Sequence, residues 1–271
     1  MSTATAPQTA NATGTVGELL RDWRRRRRLS QLDVSLDAAV SARHLSFVET
    51  GRSRPGRDLV LHLAEYLDVP LRERNTLLLA AGYAPAFRET PLDAEAMAPV
   101  RAALQQLLTG HDPYPAIIVD GCWNVALANE AALAIMTDGV DPSLLEAPNA
   151  MRLSLHPQGL APRVRNLPEF AEHLILRLQR QALLSADPAV AALLEEVRGY
   201  PGIEDHRAPS MAAEPSELLF VPMRLTRTDG TELAFFSTVA AFGTALDITV
   251  AELAIEQFFP ADEATAAALR G

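Results

Sequence analysis

The sequence predicts two domains of different class, an all-α N-terminal domain of five helices and an α+β domain behind it. Three observations carry that division. Helical periodicity, with caps and stops, recurs from Val16 to Tyr83. The segment "APAFRETPLD" at residues 84–93 contains two prolines and reads as a linker. Beyond it, residues 94–271 mix short β-rich runs with amphipathic segments. At 271 residues and 48% hydrophobic content, the chain is long enough to build two cores.

Residues 1–14 are small and polar, with neither a basic start nor an apolar stretch, so a disordered leader is expected there and not a secretory signal. Val16, Leu19, Leu20 and Trp23 then fall at i, i+3, i+4 and i+7, the stripe of an amphipathic helix. The run Arg24 to Arg28 continues that helix. Five consecutive helical residues point all around the axis, so most of these arginines are expected in solvent or paired with Glu18 and Asp22. Ser30 is placed to cap "QLDVSLDAA", whose Leu32, Val34, Leu36 and Ala38 are expected to supply the inner face. Ser41 caps the next helix, "ARHLSFVE", and Gly51 supplies its left-handed stop. "RDLVLHLAEYLDVP" and "LRERNTLLLAAGY", parted by Pro70, complete five helices over residues 15–83.

In the second domain, a helix is expected from Ala94 to Leu108, ending at Gly110. "PAIIVD" and "WNVALAN" read as strands close to a hairpin. "EAALAIM", "EFAEHLILRLQRQALLS" and "PAVAALLEEVRGY" read as helices. "ELLFVPMRLTRT" and "TELAFFSTVAAFG" read as strands joined at Asp229-Gly230, a strong hairpin signal. A final helix is expected around "VAELAIEQFF".

Charge is distributed unevenly. Residues 1–90 hold 13 arginines against 10 acidic side chains, a net of +3, within a chain whose formal net charge is −10. The remainder carries the whole acidic excess, which points to nucleic acid as a partner of the N-terminal end. No apolar run is long enough to span a membrane. The single cysteine, Cys122, has no disulfide partner or zinc-type spacing and reads as a small semi-buried hydrophobe, which suits a cytoplasmic protein. Six histidines are scattered, with no GxSxG, HExxH, P-loop or GxGxxG pattern, so no enzyme and no cofactor are expected.

Two short helices joined by a tight turn make a helix-turn-helix, whose second helix enters the major groove of double-stranded DNA. Leu45 and Val48 can hold that helix inward, leaving Arg43, Ser46, Phe47 and Thr50 outward with His44 at the margin. Arg43 can reach a guanine edge or a phosphate, and Phe47 can pack on a thymine methyl. The alternative for Phe47 is extra packing against a neighbouring helix. Ser41 at the helix start favours phosphate. Gln31 is placed for a phosphate or for bracing a recognition side chain, and Arg52, Arg54 and Arg57 for the DNA backbone.

"LSQLDVSLDAAVSARHLSFVETGRSRP" resembles the lambda-repressor-like, or XRE-type, helix-turn-helix. With "VPLRERNTLLLAAGYAPAF", "HDPYPAIIVDGCWNVALANEAA" and "IEQFFPAD", the combination resembles XRE regulators carrying an MmyB-like ligand-binding domain, common in actinobacteria, from about Gly14 onward. Ala39 departs from the pattern, since the turn usually holds glycine. The resemblance implies a PAS-like C-terminal domain that binds a hydrophobic small molecule, fatty acids being one class. A homodimer is expected, with two helix-turn-helix domains in successive major grooves of a pseudo-palindromic operator. Trp123, Met223, Phe235 and Phe236 can line a cavity or merely fill a core. His173 and Arg177, four apart on one helix face, could hold a carboxylate. Alternatively they form an exposed polar face with Arg177 paired to Glu172 or Glu169. Asn129 can serve a ligand, but helix capping comes first. A ligand-free dimerisation scaffold is the competing reading of this half.

Overall fold

The computed structural model describes residues 14–203 and 221–270. Most of the expected leader and the first residues of "ELLFVPMRLTRT" lie outside the described residues. The chain forms two compact units, one of residues 1–88 with 246–248 and one of residues 89–245 with 249–271.

Five helices build the first unit: α1 (Val16–Arg26), α2 (Gln31–Asp37), α3 (Ala42–Glu49), α4 (Arg57–Tyr66) and α5 (Leu71–Ala80). Side chains set their starts. Thr15 and Glu18 form a reciprocal capping box at α1, Ser30 and Asp33 form one at α2, and Ser41 Oγ accepts from His44 N at α3. Leu20, Trp23, Val34, Leu45, Val48, Val60, Leu63, Leu77 and Leu78 are buried, so every helix contributes to the core.

The inner face expected for α2 needs correction. Val34 and Ala38 are buried, but Leu32 is 60% and Leu36 71% exposed. Residues two apart on an α-helix lie about 200° around its axis, so an alternating run cannot share one face. The turn after α2 behaves as its sequence implied: Ala39 adopts φ +52°, the left-handed region. Alanine there costs about 1–2 kcal/mol, partly offset by the larger chain entropy that glycine would lose. Ala39→Gly should therefore stabilise the domain by about 0.5–1 kcal/mol, read as a raised urea midpoint; a lowered midpoint would contradict it.

Gly17 allows α1 to sit directly against α3. A Cβ at this position would overlap the Val48 carbonyl oxygen, part of the α3 backbone. Gly17→Ala is expected to destabilise the unit by about 1–3 kcal/mol through overpacking. Faster amide exchange in α1 and α3 would report it.

The second unit opens with a 3₁₀ turn, Glu95–Met97, and α6 (Ala98–Thr109), which ends at Gly110. There follow β1 (Ala116–Val119), β2 (Val125–Ala128), α7 (Glu130–Met136), α8 (Ala150–Leu155), α9 (Leu167–Ser185), α10 (Pro188–Arg198), β3 (Met223–Thr226) and β4 (Glu232–Ala241). A short α11 (Ile248–Glu252), β5 (Ala254–Pro260) and α12 (Glu263–Arg270) complete the described chain. The five strands form one antiparallel sheet in the order β2-β1-β5-β4-β3, a PAS-like α+β arrangement.

The expected final helix is thus a strand over most of its length, and a central one. β5 pairs with β1 on one side and with β4 along the other, so it joins the two hairpins into one sheet. The Asp229-Gly230 turn is as expected, with Gly230 at φ +87°. The largest core of this unit gathers Ile117, Met151, Leu178, Val190, Leu225 and Phe235 from sheet and helices.

Candidate functional site

In the first unit, α3 divides into two faces. Leu45, Val48 and Glu49 are buried; Arg43 and Thr50 are exposed; His44, Ser46 and Phe47 are half-buried. Phe47 stands outside the core, between two guanidinium groups: Arg43 Cζ lies 5.3 Å and Arg52 Cζ 6.0 Å from its ring centroid. Each cation–π contact of this exposed kind is worth about 0.5–1 kcal/mol. The ring thereby holds two arginines at the outer face of the helix. Gly51, at φ +73°, turns the chain so that Arg52 N donates to Phe47 O at 2.8 Å. Thr50 Oγ1 donates to Ser46 O, tying down the end of the helix. Arg57 is exposed at the start of α4.

Two residues expected near DNA have partners within the unit, Gln31 in the bracing role that was its second alternative. Arg54 donates from Nε and Nη2 to Ala81 O at 3.2 and 2.8 Å, capping the end of α5 and stacking near Tyr83. Three of its five N–H groups are left over, and the residue is exposed. Gln31 Nε2 donates to Glu49 Oε2 at 2.9 Å, so it braces the recognition helix through its last residue.

Glu49 is the residue whose role the sequence did not disclose. It is 2% exposed, and Arg24 holds it bidentately, Nε to Oε1 at 2.7 Å and Nη2 to Oε2 at 2.8 Å. Arg21 Nη2 donates to its backbone carbonyl. Burial pushes the Glu49 carboxyl up, but the hydrogen bonds from Arg24 and Gln31 and the charges of Arg24 and Arg21 outweigh it and leave the carboxyl below its ordinary value of 4.5. Of the arginine run, Arg25, Arg26 and Arg28 are exposed as expected, whereas Arg24 and Arg27 take partners other than Glu18 and Asp22. Glu18 is engaged with Thr15, Arg24 reaches across to α3, and Arg27 donates to the carbonyls of Leu67 and Asp68. Proximity in sequence suggested the local partners, whereas packing of α1 on α3 brings the distant one closer.

In the second unit, a cavity of about 80 Å³ opens between the sheet and the helices. It has room for more than one water. Its wall is largely apolar, with Ile117, Ile135, Met151, Phe170, Phe235 and Phe258 among its lining residues. Trp123, His173, Arg177, Met223 and Phe235 from the sequence reading all line it.

Asn129 does not reach the cavity. Its Oδ1 accepts from Ala116 N and Ala132 N, and its Nδ2 donates to Asp112 Oδ1 and Tyr114 O, so capping α7 and bridging loops exhausts its capacity. Phe236 stacks on Phe259 at 5.4 Å and is absent from the lining. Alternation along β4 explains this, since neighbouring strand residues point to opposite faces.

Arg177 is paired with neither Glu172 nor Glu169. Its Nη1 donates to Glu256 Oε1 at 2.9 Å, and Ser237 Oγ donates to the same oxygen at 2.8 Å. Its guanidinium carbon lies 4.3 Å from the Trp123 ring centroid. Burial, then the Arg177 charge, lower the His173 pKa below its ordinary 6.5, against the smaller opposing pull of Glu256. The imidazole is thus neutral at neutral pH. Glu256 and Ser237 were missed because both sit on strands that pair only in the folded sheet.

Trp123 adopts φ +67°, unusual for a bulky residue, in a turn whose Asp120 Oδ1 accepts from Cys122 N and Asn124 N. Burial, followed by the charges of Asp187, Asp120 and Glu252, pushes the Cys122 thiol up to about 11 and makes it a poor nucleophile. Among the described residues, no cluster of three or more histidine, cysteine and acidic side chains could hold a metal ion. No described helix is long and apolar enough to cross a membrane.

Comparison with known proteins covers both units. Residues 100–271 match the family model described as the MmyB-like transcription regulator ligand binding domain, and residues 15–77 match one described as a helix-turn-helix domain. No curated protein matches the chain. Among solved structures it is similar to one titled "Structure of an RNA-binding Light-Oxygen-Voltage Receptor", at 13% identity and a TM-score of 0.29. That alignment covers 96% of this chain and 62% of the other. So low a TM-score carries no argument.

Proposed function

The chain belongs to the MmyB-like transcription regulators, and from that premise we propose a homodimeric, cytoplasmic bacterial DNA-binding regulator controlled by a hydrophobic ligand of fatty-acid or other acyl type. The observation that carries the DNA half is the outer face of α3, where Phe47 holds Arg43 and Arg52 beside it. In a dimer, two such helices would enter successive major grooves about 34 Å apart on a pseudo-palindromic operator. Arg43 would read a guanine edge and Phe47 a thymine methyl. Arg52, Arg57 and the amide end of α3 at Ser41 would hold phosphates, contributing affinity without sequence information. His44, Ser46 and Thr50 complete the surface.

Arg43→Ala should weaken specific binding by about 1–3 kcal/mol while leaving random-sequence binding nearly unchanged. Phe47→Ala should relax preference at one thymine-containing step in a randomised-operator selection. Equal loss on specific and random DNA would reassign Arg43 to phosphate, and an unaltered selection would remove the methyl contact.

The largely apolar cavity favours a ligand-bound regulator over a ligand-free scaffold. Coupling between the two sites requires the ligand to prefer one arrangement of the protein, and the DNA must then alter ligand affinity by the same factor. Mass spectrometry of an organic extract of native protein tests the ligand. A stoichiometric apolar molecule supports this reading, whereas an empty extract together with a melting temperature indifferent to acyl compounds favours the scaffold.

A further inference from the structure

The cavity wall is polar in one region, and the composition of that region limits the head group of any ligand. Arg177 and Glu256 lie there bonded to each other, with Ser237 bonded to Glu256 and His173 one turn earlier than Arg177 on α9. Glu256 is buried at 6% exposure, and the Arg177 side chain is 24% exposed with its face over Trp123. One cation and one anion, with a neutral imidazole beside them, sum to no net charge.

A carboxylate entering this cavity would have to share Arg177 with Glu256. Two carboxylates and one guanidinium leave a negative charge without a partner among apolar walls, which disfavours the anionic form of a ligand there. An uncharged head group avoids that cost and still finds partners. Arg177 Nε and Nη2 make no hydrogen bond among the described residues, and neither does Glu256 Oε2. The first two are donors and the third is an acceptor.

We infer that the cavity takes an uncharged amphiphile, an apolar tail whose head both donates and accepts hydrogen bonds, such as a primary amide or alcohol, in preference to a fatty-acid anion. This rests on reading the cavity as the site of an apolar ligand and narrows the class proposed above to one with an uncharged head, setting the fatty-acid anion aside.

The test is calorimetric titration of the full chain at neutral pH with octanamide, 1-octanol and octanoate, which share a tail length. Octanamide or octanol should bind at least about tenfold more tightly than octanoate. Octanoate binding as tightly or more tightly overturns the inference and leaves an acyl cavity standing. Silence from all three and from their twelve-carbon counterparts overturns the ligand-site reading, and this inference with it.

Glu256→Gln supplies the second measurement, because it removes the anion while keeping the shape. Octanoate affinity should then rise about tenfold while octanamide affinity falls, because the glutamine keeps one oxygen for Arg177 and no longer offers the second as an acceptor to the octanamide head. A parallel loss for both compounds would mean that Glu256 only supports the wall, which contradicts the inference. If the variant does not fold, the wild-type ranking alone decides.

Discussion

Glu49→Ala should destabilise the N-terminal unit by about 3 kcal/mol and abolish specific DNA binding with it. The carboxylate is almost fully enclosed, and its main partner, the Arg24 side chain, is only 11% exposed. Removing one member of such a pair leaves a half-buried guanidinium without its anion, which costs about 3–5 kcal/mol where both groups are buried. The lower end applies, since Arg24 keeps a hydrogen bond to Leu29 O and some access to water. A unit of this size has only a few kcal/mol to lose. Amide exchange in α1 and α3 is the measurement, because the two units need not unfold together. Unchanged protection would show that the pair contributes nothing. The double replacement Arg24→Met, Glu49→Leu should recover most of the loss, since an apolar pair of similar volume leaves no charge stranded.

The same pair sets a pH dependence. The Glu49 carboxyl lies below its ordinary 4.5 in the folded protein. Its contribution is therefore fully present above that value and disappears as pH falls through the lower folded value. Acid should loosen the α1–α3 contact in the native protein and have less effect in the double replacement.

Trp123→Ala is the second large effect, expected to cost the C-terminal unit about 3–5 kcal/mol. The side chain is 5% exposed. Its Nε1 donates to Gln181 Oε1 at 2.6 Å, and Gln181 Nε2 donates to Gly121 O at 2.6 Å, closing the turn that carries Trp123. Truncation opens a void beside the cavity, leaves Gln181 short of a donor and removes the ring beneath Arg177. The backbone gains nothing, since alanine at φ +67° is strained too. A fall of about 10 °C in the melting temperature of this unit is expected. A fall below about 3 °C would mean that the surroundings collapse into the space.

What the sequence disclosed was local. The α1 stripe, the Ser30 and Ser41 caps, the Gly51 stop and the strain at Ala39 each depend on residues within one or two helical turns. Trp123, His173 and Arg177 line the cavity, but the sequence did not single out that role: an apolar ring reads alike in core and wall, and a histidine and an arginine four apart read first as an exposed polar face. Pairings across the fold were not legible. Arg24 finds Glu49 and Arg177 finds Glu256 only when distant elements dock, and nearer acids looked equally suitable. β5 escaped for a related reason: Glu256 and Gln257 interrupt its apolar run, so "AIEQFF" lacks the look of a buried strand. Its place between β1 and β4 supplies the hydrogen bonds that its composition does not advertise.

That placement has a consequence for how the protein is made. Ile118 must wait for Ile255, about half the chain later, before its outer edge is covered. Until then a nascent polypeptide leaving the ribosome carries two unconnected hairpins with open edges, each a template for adhesion to a neighbour. The helix-turn-helix, built from short-range contacts, can be complete well before this. Newly synthesised copies would thus hold a finished helix-turn-helix while the second unit is still assembling, and shielding by chaperones would matter most during that interval.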